Sequence, residues 1–212
     1  MAMQATHVRF ALEFEGLLGI VNQGEYLAGV MYPDSRYTTG IDRACTHDYS
    51  IEPKDLLTGT DFEKGWKIHV IYDKLGGELL KKVFNIDLIE SASSDAWYKV
   101  TAAKLYEDIE SWRVMGVSAD LMSQIVVHDS PNQESKNKIF KWYDLQKDVY
   151  TNKPARLEAY QPLLDWYQEI DPTIKERWLN EYDKLVVDPR KCEKVLLIFD
   201  QVKQKVHDGL QG

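Results

Sequence analysis

The chain has 212 residues, 44% hydrophobic and 28% charged, which is the composition of an ordinary globular protein with a sizeable core. Its net charge of -8 argues against a general nucleic-acid surface or an acidic-membrane surface, because both kinds of ligand bind basic faces. Two cysteines, Cys45 and Cys192, are too few for a disulfide framework or a cysteine-based zinc site, and no apolar run reaches the roughly 18–20 residues of a membrane span.

The first quarter of the chain predicts two helices and a long loop. Apolar residues at helical spacing over 5–21 predict the first helix, and a short helical turn is expected over 25–31. Pro33 then interrupts regular structure. We expect an irregular loop over 32–58, and a loop of this length is typical of a functional segment.

Helices are predicted for most of the remaining chain. Thr60-Asp-Phe-Glu63 is a capping box that begins a helix towards Phe84, and the glycine pair at 76–77 is expected to kink or break it. Further helices are expected over 95–126 with an interruption at Gly116, and then over 140–149, 153–170, from 172 and over 190–209. The last two begin at Asp171-Pro172 and Asp188-Pro189, which pair an N-cap residue with a first-position proline. No strand pattern is convincing, so the expected fold class is all-α, a single domain with about seven or eight helices.

Two pairs of histidine and aspartate residues are candidate metal ligands. His69 and Asp73 lie four residues apart in a predicted helix, so both project from one face, where an imidazole and a carboxylate can bind a divalent ion. Asp34 and His47 bracket the predicted loop, and Thr46 is placed to orient His47 by a hydrogen bond.

His7 is a third candidate, but each candidate also has an explanation without a metal. A hydrogen bond within one helix would account for His69 and Asp73, and a capped turn would account for Asp34. His7 lies in the first helix, where a core histidine is more often satisfied by a neighbouring side chain. His128, at the end of a long predicted helix, is expected to interact with the helix dipole.

The candidate residues belong to motifs that occur in a defined order within about residues 5–80. After His7 come Tyr26-Leu-Ala-Gly29, Pro33-Asp34, Thr46-His47 and Gly65-x-x-x-His69-x-x-x-Asp73. This ordered set resembles the zinc-dependent phospholipase C and S1–P1 nuclease superfamily, in particular a bacterial branch with a motif like Phe-Leu-x-Gly-x-x-x-Pro-Asp followed by Thr-His.

The resemblance implies an all-α fold that holds a zinc cluster and hydrolyses phosphoesters. By the same resemblance one metal ion is held by Asp34, His47, His69 and Asp73, and His7 begins a second site together with Asp73. The resemblance does not extend beyond about residue 80. Within the single domain we expect a metal-site core in 1–130 and a C-terminal helical extension, 131–212, packed on it.

The chain departs from this family on the helix after His69. The larger secreted members bind a further zinc there through two histidines and a glutamate, whereas this chain offers Glu107 and Asp108 and no histidine. We therefore expect one or two divalent ions, with zinc as the first choice and manganese or iron as alternatives.

The expected mechanism is hydrolysis by a metal-activated water. A bound divalent ion lowers the pKa of its water to about 7. Arg36 and Arg43 are candidate catalytic cations, because a guanidinium fits the oxygens of a phosphoryl group, although a surface salt bridge with Asp42 or Asp48 would explain each arginine equally well. Asp48 is the candidate that accepts a proton or orients His47.

The predicted function is a metal-dependent hydrolase of a small phosphorylated substrate, a phosphodiester or a phosphomonoester. Since the N-terminal residues carry no secretion signal, a cytoplasmic location is expected. One alternative is a non-catalytic helical binding protein that is stabilised by a metal. Another is an HD-type phosphohydrolase that uses His47-Asp48, His7 and a later residue such as Asp120. It ranks second because that doublet usually lies on an apolar helix and here follows polar residues in a predicted loop.

Overall fold

The computed structural model describes residues 3–87, 94–115, 121, 124–125, 131–151 and 153–211. Within these residues there are eight helices of seven or more residues and no strand, which confirms the all-α prediction. The α-helices in chain order are α1 (Gln4–Phe14), α2 (Gln23–Met31), α3 (Arg36–Thr39), α4 (Arg43–Thr46), α5 (Asp61–Phe84), α6 (Asp95–Met115), α7 (Lys136–Tyr150), α8 (Gln161–Ile170), α9 (Pro172–Val186) and α10 (Pro189–Gln211). None of the helices in the described ranges is long and apolar enough to cross a membrane.

The first helix is shorter than its apolar pattern predicts. It ends at Phe14 rather than at residue 21, and turns follow it. Leu17 and Val21, which the pattern placed on the buried side, are 58% and 94% exposed, whereas Leu18 is buried. Gly19 adopts a positive φ of 62°, a conformation that glycine accommodates without strain and that ends the helical path.

The segment 32–58 is not an irregular loop, and this prediction was wrong. It contains the 3₁₀ turn Tyr32–Ser35, helices α3 and α4, and the 3₁₀ turn Pro53–Leu57. Local caps stabilise these turns: the Asp42 side chain, for example, accepts a hydrogen bond from the Ala44 N–H at 2.7 Å. Turns of four or five residues are too short to show a hydrophobic period.

Helix α5 is the long element that carries two of the candidate ligands. Its capping box forms as predicted, with the Glu63 N–H donating to the Thr60 hydroxyl at 3.2 Å and the Thr60 N–H donating to the Glu63 carboxylate at 2.8 Å. The helix continues through Gly76 and Gly77 to Phe84, so the glycine pair does not break it.

Two glycines allow α2 and α5 to cross with their backbones in contact. A Cβ atom at Gly29 would lie 2.0 Å from the carbonyl oxygen of Phe62, and one at Gly65 would lie 2.0 Å from the carbonyl oxygen of Tyr26. Only glycine permits this approach. The crossing places the end of α2, which leads into Asp34, directly against the helix that carries His69 and Asp73.

The C-terminal helices pack on this crossing. Trp142 of α7 donates its indole N–H to the Met31 carbonyl at 3.0 Å, and the Tyr143 hydroxyl donates to the Ala28 carbonyl at 2.6 Å. One hydrophobic cluster contains buried residues from both halves of the chain. The division into a 1–130 core and a 131–212 extension stays a prediction. Gly116, the predicted interruption of the helix over 95–126, lies outside the described residues.

Candidate metal centre

Four separate elements bring the five predicted ligands together. Helix α1 supplies His7, the turn after α2 supplies Asp34, His47 directly follows α4, and α5 supplies His69 and Asp73. All five side chains are buried, and the most exposed of them, Asp73, has an exposed fraction of 8%. The structure therefore places these side chains in the protein interior as a single group, which we call the ligand cluster.

The donor atoms of the ligand cluster lie close together without forming direct hydrogen bonds. His47 Nε2 is 3.5 Å from an Asp73 oxygen and 3.9 Å from an Asp34 oxygen, and His69 Nε2 is 3.7 Å from Asp34. These distances exceed the usual 2.7–3.2 Å of a hydrogen bond. They are of the order expected between ligands that share one ion at about 2 Å.

Two overlapping triads satisfy the spacing of a metal site. Within each triad the ligand atoms lie within 4.8 Å of one another, and His69 belongs to both: His7 with Asp34 and His69, and His47 with His69 and Asp73. His7 thus groups with Asp34 as well as with Asp73, whose oxygen lies 3.6 Å from His7 Nε2.

Hydrogen bonds on the far side of two imidazoles leave their Nε2 atoms free to bind a metal. His69 Nδ1 lies 2.7 Å from the Val30 carbonyl oxygen, which can only accept, so Nδ1 carries the proton. His47 Nδ1 lies 2.9 Å from the Thr46 hydroxyl, which itself donates to the Arg43 carbonyl and thus accepts from His47. Both Nε2 atoms then hold a lone pair, as in metal-binding histidines whose other nitrogen is held by the protein.

Buried donor atoms in the ligand cluster have no hydrogen-bond partner within the described part of the chain. These atoms are His7 Nδ1, Asp34 Oδ1, His47 Nε2 and His69 Nε2. A buried polar group without a partner costs about 1–3 kcal/mol, and here four such atoms, all of imidazole or carboxylate type, lie in one group of potential metal ligands. The residues present therefore fit a divalent cation.

Two cations bind the second carboxylate of the cluster. Lys104 Nζ lies 2.6 Å from Asp73 Oδ1, and Arg43 Nη2 lies 3.0 Å from Asp73 Oδ2. Arg43 also donates to the Tyr49 hydroxyl, and its side chain is 37% exposed, so it reaches from Asp73 to solvent. The sequence analysis did not predict Lys104 as a site residue. The one indication in the sequence is its helical spacing, four residues from both Val100 and Asp108, which lie on the buried side of α6.

Burial and local charge set the protonation states that a metal requires. Burial lowers the pKa of His7 from 6.5 to about 4 against the opposing effect of Asp73, and it also lowers the pKa values of His47 and His69. Burial alone would raise the pKa of Asp73, but the Lys104 ammonium and the neighbouring histidines hold it well below its usual value. Asp34 likewise has a lowered pKa, since His69 and His47 outweigh the effect of burial. At neutral pH the cluster presents neutral imidazoles and ionised carboxylates.

Among the described residues, the side chains of Arg36 and Asp48 form no hydrogen bond or salt bridge with the ligand cluster. The Arg36 guanidinium lies 4.2 Å from the ring centre of Tyr37, and no described residue forms a salt bridge with it. Asp48 is exposed and accepts a hydrogen bond from the Ser50 N–H at 2.9 Å, so Thr46 rather than Asp48 orients His47. With His47 buried and Asp48 exposed, the two residues of the HD doublet face different surroundings, which corrects the prediction that Asp48 orients His47. The role of Asp48 as a proton acceptor stays a prediction.

The acidic residues of α6 have other partners. The Tyr72 hydroxyl donates to Glu107, and burial raises the pKa of Glu107 to about 7. Asp108 accepts hydrogen bonds from the Thr6 N–H and from two tyrosine hydroxyls. Neither acid belongs to a metal triad. Two further predicted candidates, His128 and Asp120, lie outside the described residues.

In comparisons with known proteins, the chain matches no family model, no curated protein and no solved structure. The resemblance to the phospholipase C and S1–P1 nuclease superfamily therefore stays a prediction.

Proposed function

We propose that the protein is a metal-dependent hydrolase that acts on phosphoesters. One observation carries this proposal: in the buried cluster, the unprotonated Nε2 atoms of His47 and His69 point towards the ionised carboxylate of Asp34 and find no partner in the described chain. Imidazoles and carboxylates in this arrangement are the ligands of catalytic zinc, and manganese or iron are the alternatives.

The residues of the chain would hold the ion and prepare the site for a phosphate. Asp34, His47 and His69 would bind the ion, with His7 or Asp73 completing the set, and bound zinc lowers the pKa of a water to about 7 and so supplies hydroxide. The Val30 carbonyl and the Thr46 hydroxyl keep the two imidazole rings in their orientation.

Arg43 is our first candidate for binding the substrate. It is anchored at Asp73 and partly exposed, and its guanidinium has further N–H donors that can bind phosphoryl oxygens. We therefore assign the phosphate-binding role to Arg43 first, with Arg36, whose buried Nε has no partner in the described chain, as the alternative cation. A small phosphorylated molecule is the expected substrate.

The test is hydrolysis of bis(4-nitrophenyl) phosphate and 4-nitrophenyl phosphate by the zinc-loaded protein. We expect turnover that a chelator abolishes and that added zinc restores. His69→Ala should lose zinc and turnover together, whereas His207→Ala, a matched change far along the chain in α10, should retain both. Full turnover by the His69→Ala protein would overturn the proposal.

A non-catalytic role for the metal is the second candidate. The ligands come from four elements, including α1 and α5, so an ion would tie these elements together and stabilise the fold. Stoichiometric zinc with no turnover on any phosphoester would favour this candidate.

A further inference from the structure

We propose that the ammonium group of Lys104 takes the place of a second metal ion, so that the centre binds one divalent cation per chain. This inference rests on the proposed metal centre. It concerns the side of the cluster formed by Asp73, where the chain supplies a positive charge of its own.

Both oxygens of Asp73 are already bound by cations of the chain. Lys104 lies 2.6 Å from Oδ1 and Arg43 lies 3.0 Å from Oδ2. The Lys104 side chain is only 18% exposed, and an ion pair shielded from water is much stronger than one at the surface. A second metal ion that used Asp73 as a bridging ligand would have to displace Lys104 from Oδ1.

The donor atoms that lack a partner lie elsewhere in the cluster. His47 Nε2, His69 Nε2 and Asp34 Oδ1 are without hydrogen bonds to the described residues, and His7 Nδ1 is the fourth such atom. The unpartnered donors are sufficient for one ion. None of them belongs to Asp73.

The charge balance also favours a single ion. With neutral histidines, the carboxylates of Asp34 and Asp73 are offset by the cations of Arg43 and Lys104, which gives a formal charge of zero. One divalent ion raises this to +2, which matches a doubly charged phosphate group. A second ion would raise it to +4, and concentrating that charge in a buried site costs several kcal/mol for each uncompensated ion.

Lys104 can also act on the substrate from this position. An ammonium group has three N–H donors, and Asp73 accepts from one of them. The remaining donors can bind a phosphoryl oxygen, as a second metal ion would in a two-metal site.

The experiment measures zinc per chain by mass spectrometry, after equilibration with excess zinc and gel filtration. We expect one zinc in the wild-type protein. Lys104→Met, which has a similar length and no charge, frees Asp73 Oδ1 and should raise the content to two. Lys104→Arg keeps the charge and should stay at one, as should Lys99→Met, a matched change at an exposed position of the same helix.

The outcomes separate the two proposals. A wild-type protein that binds no zinc contradicts the metal centre itself. A wild-type protein that binds two zinc ions leaves the metal centre standing and overturns the role of Lys104. The role is also overturned if folded Lys104→Met protein, verified by circular dichroism, binds one zinc ion or none.

Discussion

Two groups of buried polar residues lie side by side in this protein and differ in how completely the chain satisfies them. The first is the ligand cluster. The second, which we call the Asp108 cluster, consists of Asp108, Tyr150 and Tyr160 and accepts the N–H groups of Gln4 and Thr6 at the start of α1. Thr6 and His7 are consecutive, so the first turn of α1 contributes to both.

The Asp108 cluster is complete within the chain. One oxygen of Asp108 accepts from the Thr6 N–H at 2.7 Å, and the other accepts from Tyr150 at 2.6 Å and from Tyr160. These bonds satisfy N–H groups that the first turn of a helix leaves without intrahelical partners. The Asp108 cluster therefore fixes α1 in place and needs no ligand.

The ligand cluster is equally buried but incomplete, since four of its donor atoms lack a partner in the described structure. Burial alone therefore does not distinguish a site from a scaffold. The distinction is that four unpaired imidazole and carboxylate atoms converge in the ligand cluster, whereas unpaired atoms elsewhere in the described core, such as the Tyr98 hydroxyl, do not belong to a group of metal-ligand type. Changes in the Asp108 cluster should alter stability, and changes in the ligand cluster should alter metal binding.

The largest effect is expected for Asp108→Ala. This change leaves the Thr6 N–H and two tyrosine hydroxyls without their buried acceptor, and we expect a loss of about 3–4 kcal/mol in the free energy of unfolding. Denaturant unfolding measures it. Asp108→Asn, which keeps one acceptor oxygen, should lose less, and zinc per folded chain should stay unchanged. A loss below about 1 kcal/mol for Asp108→Ala would contradict the scaffold role.

Glu107 provides a test by pH, because burial raises its pKa to about 7 from an ordinary 4.5. The folded protein holds a proton that the unfolded chain releases above pH 4.5. The protonated Glu107 carboxyl therefore makes its full contribution to the free energy of unfolding below pH 4.5. This contribution, about 3 kcal/mol, is lost as the pH rises through 7.

Glu107→Gln removes this dependence. In the metal-free protein, its free energy of unfolding should improve relative to wild type between pH 4.5 and pH 8 by about 3 kcal/mol. Denaturant titrations at several pH values measure the difference. Parallel curves for the two proteins would show that Glu107 titrates normally.

A smaller effect is expected for Thr46→Val, which removes the acceptor of His47 Nδ1 and keeps the shape of the side chain. We expect zinc affinity to fall by about tenfold, the lower end of the range for groups that orient metal ligands. Competition with a chromogenic chelator measures it. Thr46→Ser restores the hydroxyl and should bind zinc like wild type; if Val and Ser variants bind equally, Thr46 does not orient His47.

The smallest effect is expected for Asp48→Asn. Because Asp48 is exposed and caps Ser50, zinc affinity should change by less than about twofold, as for most surface substitutions. Loss of zinc from this variant would favour the HD-type alternative.

Local chemistry explains how far the sequence could predict this fold. The cap at Asp171 and the capping box at Thr60 mark helix starts because the same side chains hold the first N–H groups in the structure. The short turns of 32–58 are too short to show a hydrophobic period, so the sequence did not predict them. The end of α1 at Phe14 was also not predictable, because apolar residues continue beyond it in exposed positions.

The candidate site was predictable to a similar degree. Residue type and order along the chain predicted the five side chains that the structure brings together. They could not predict Lys104, because it pairs with Asp73, which lies 31 positions away on another helix. The prediction that Asp48 orients His47 was wrong because neighbours in sequence can face opposite environments, as His47 and Asp48 do.

The most direct test of the central claim is a crystal structure of the zinc-loaded protein with anomalous diffraction at the zinc edge. The incomplete ligand cluster predicts one strong peak at about 2.0–2.2 Å from His47 Nε2, His69 Nε2 and an oxygen of Asp34. A fully zinc-loaded crystal with no peak among these atoms, or with zinc only at surface residues such as His207, would contradict it.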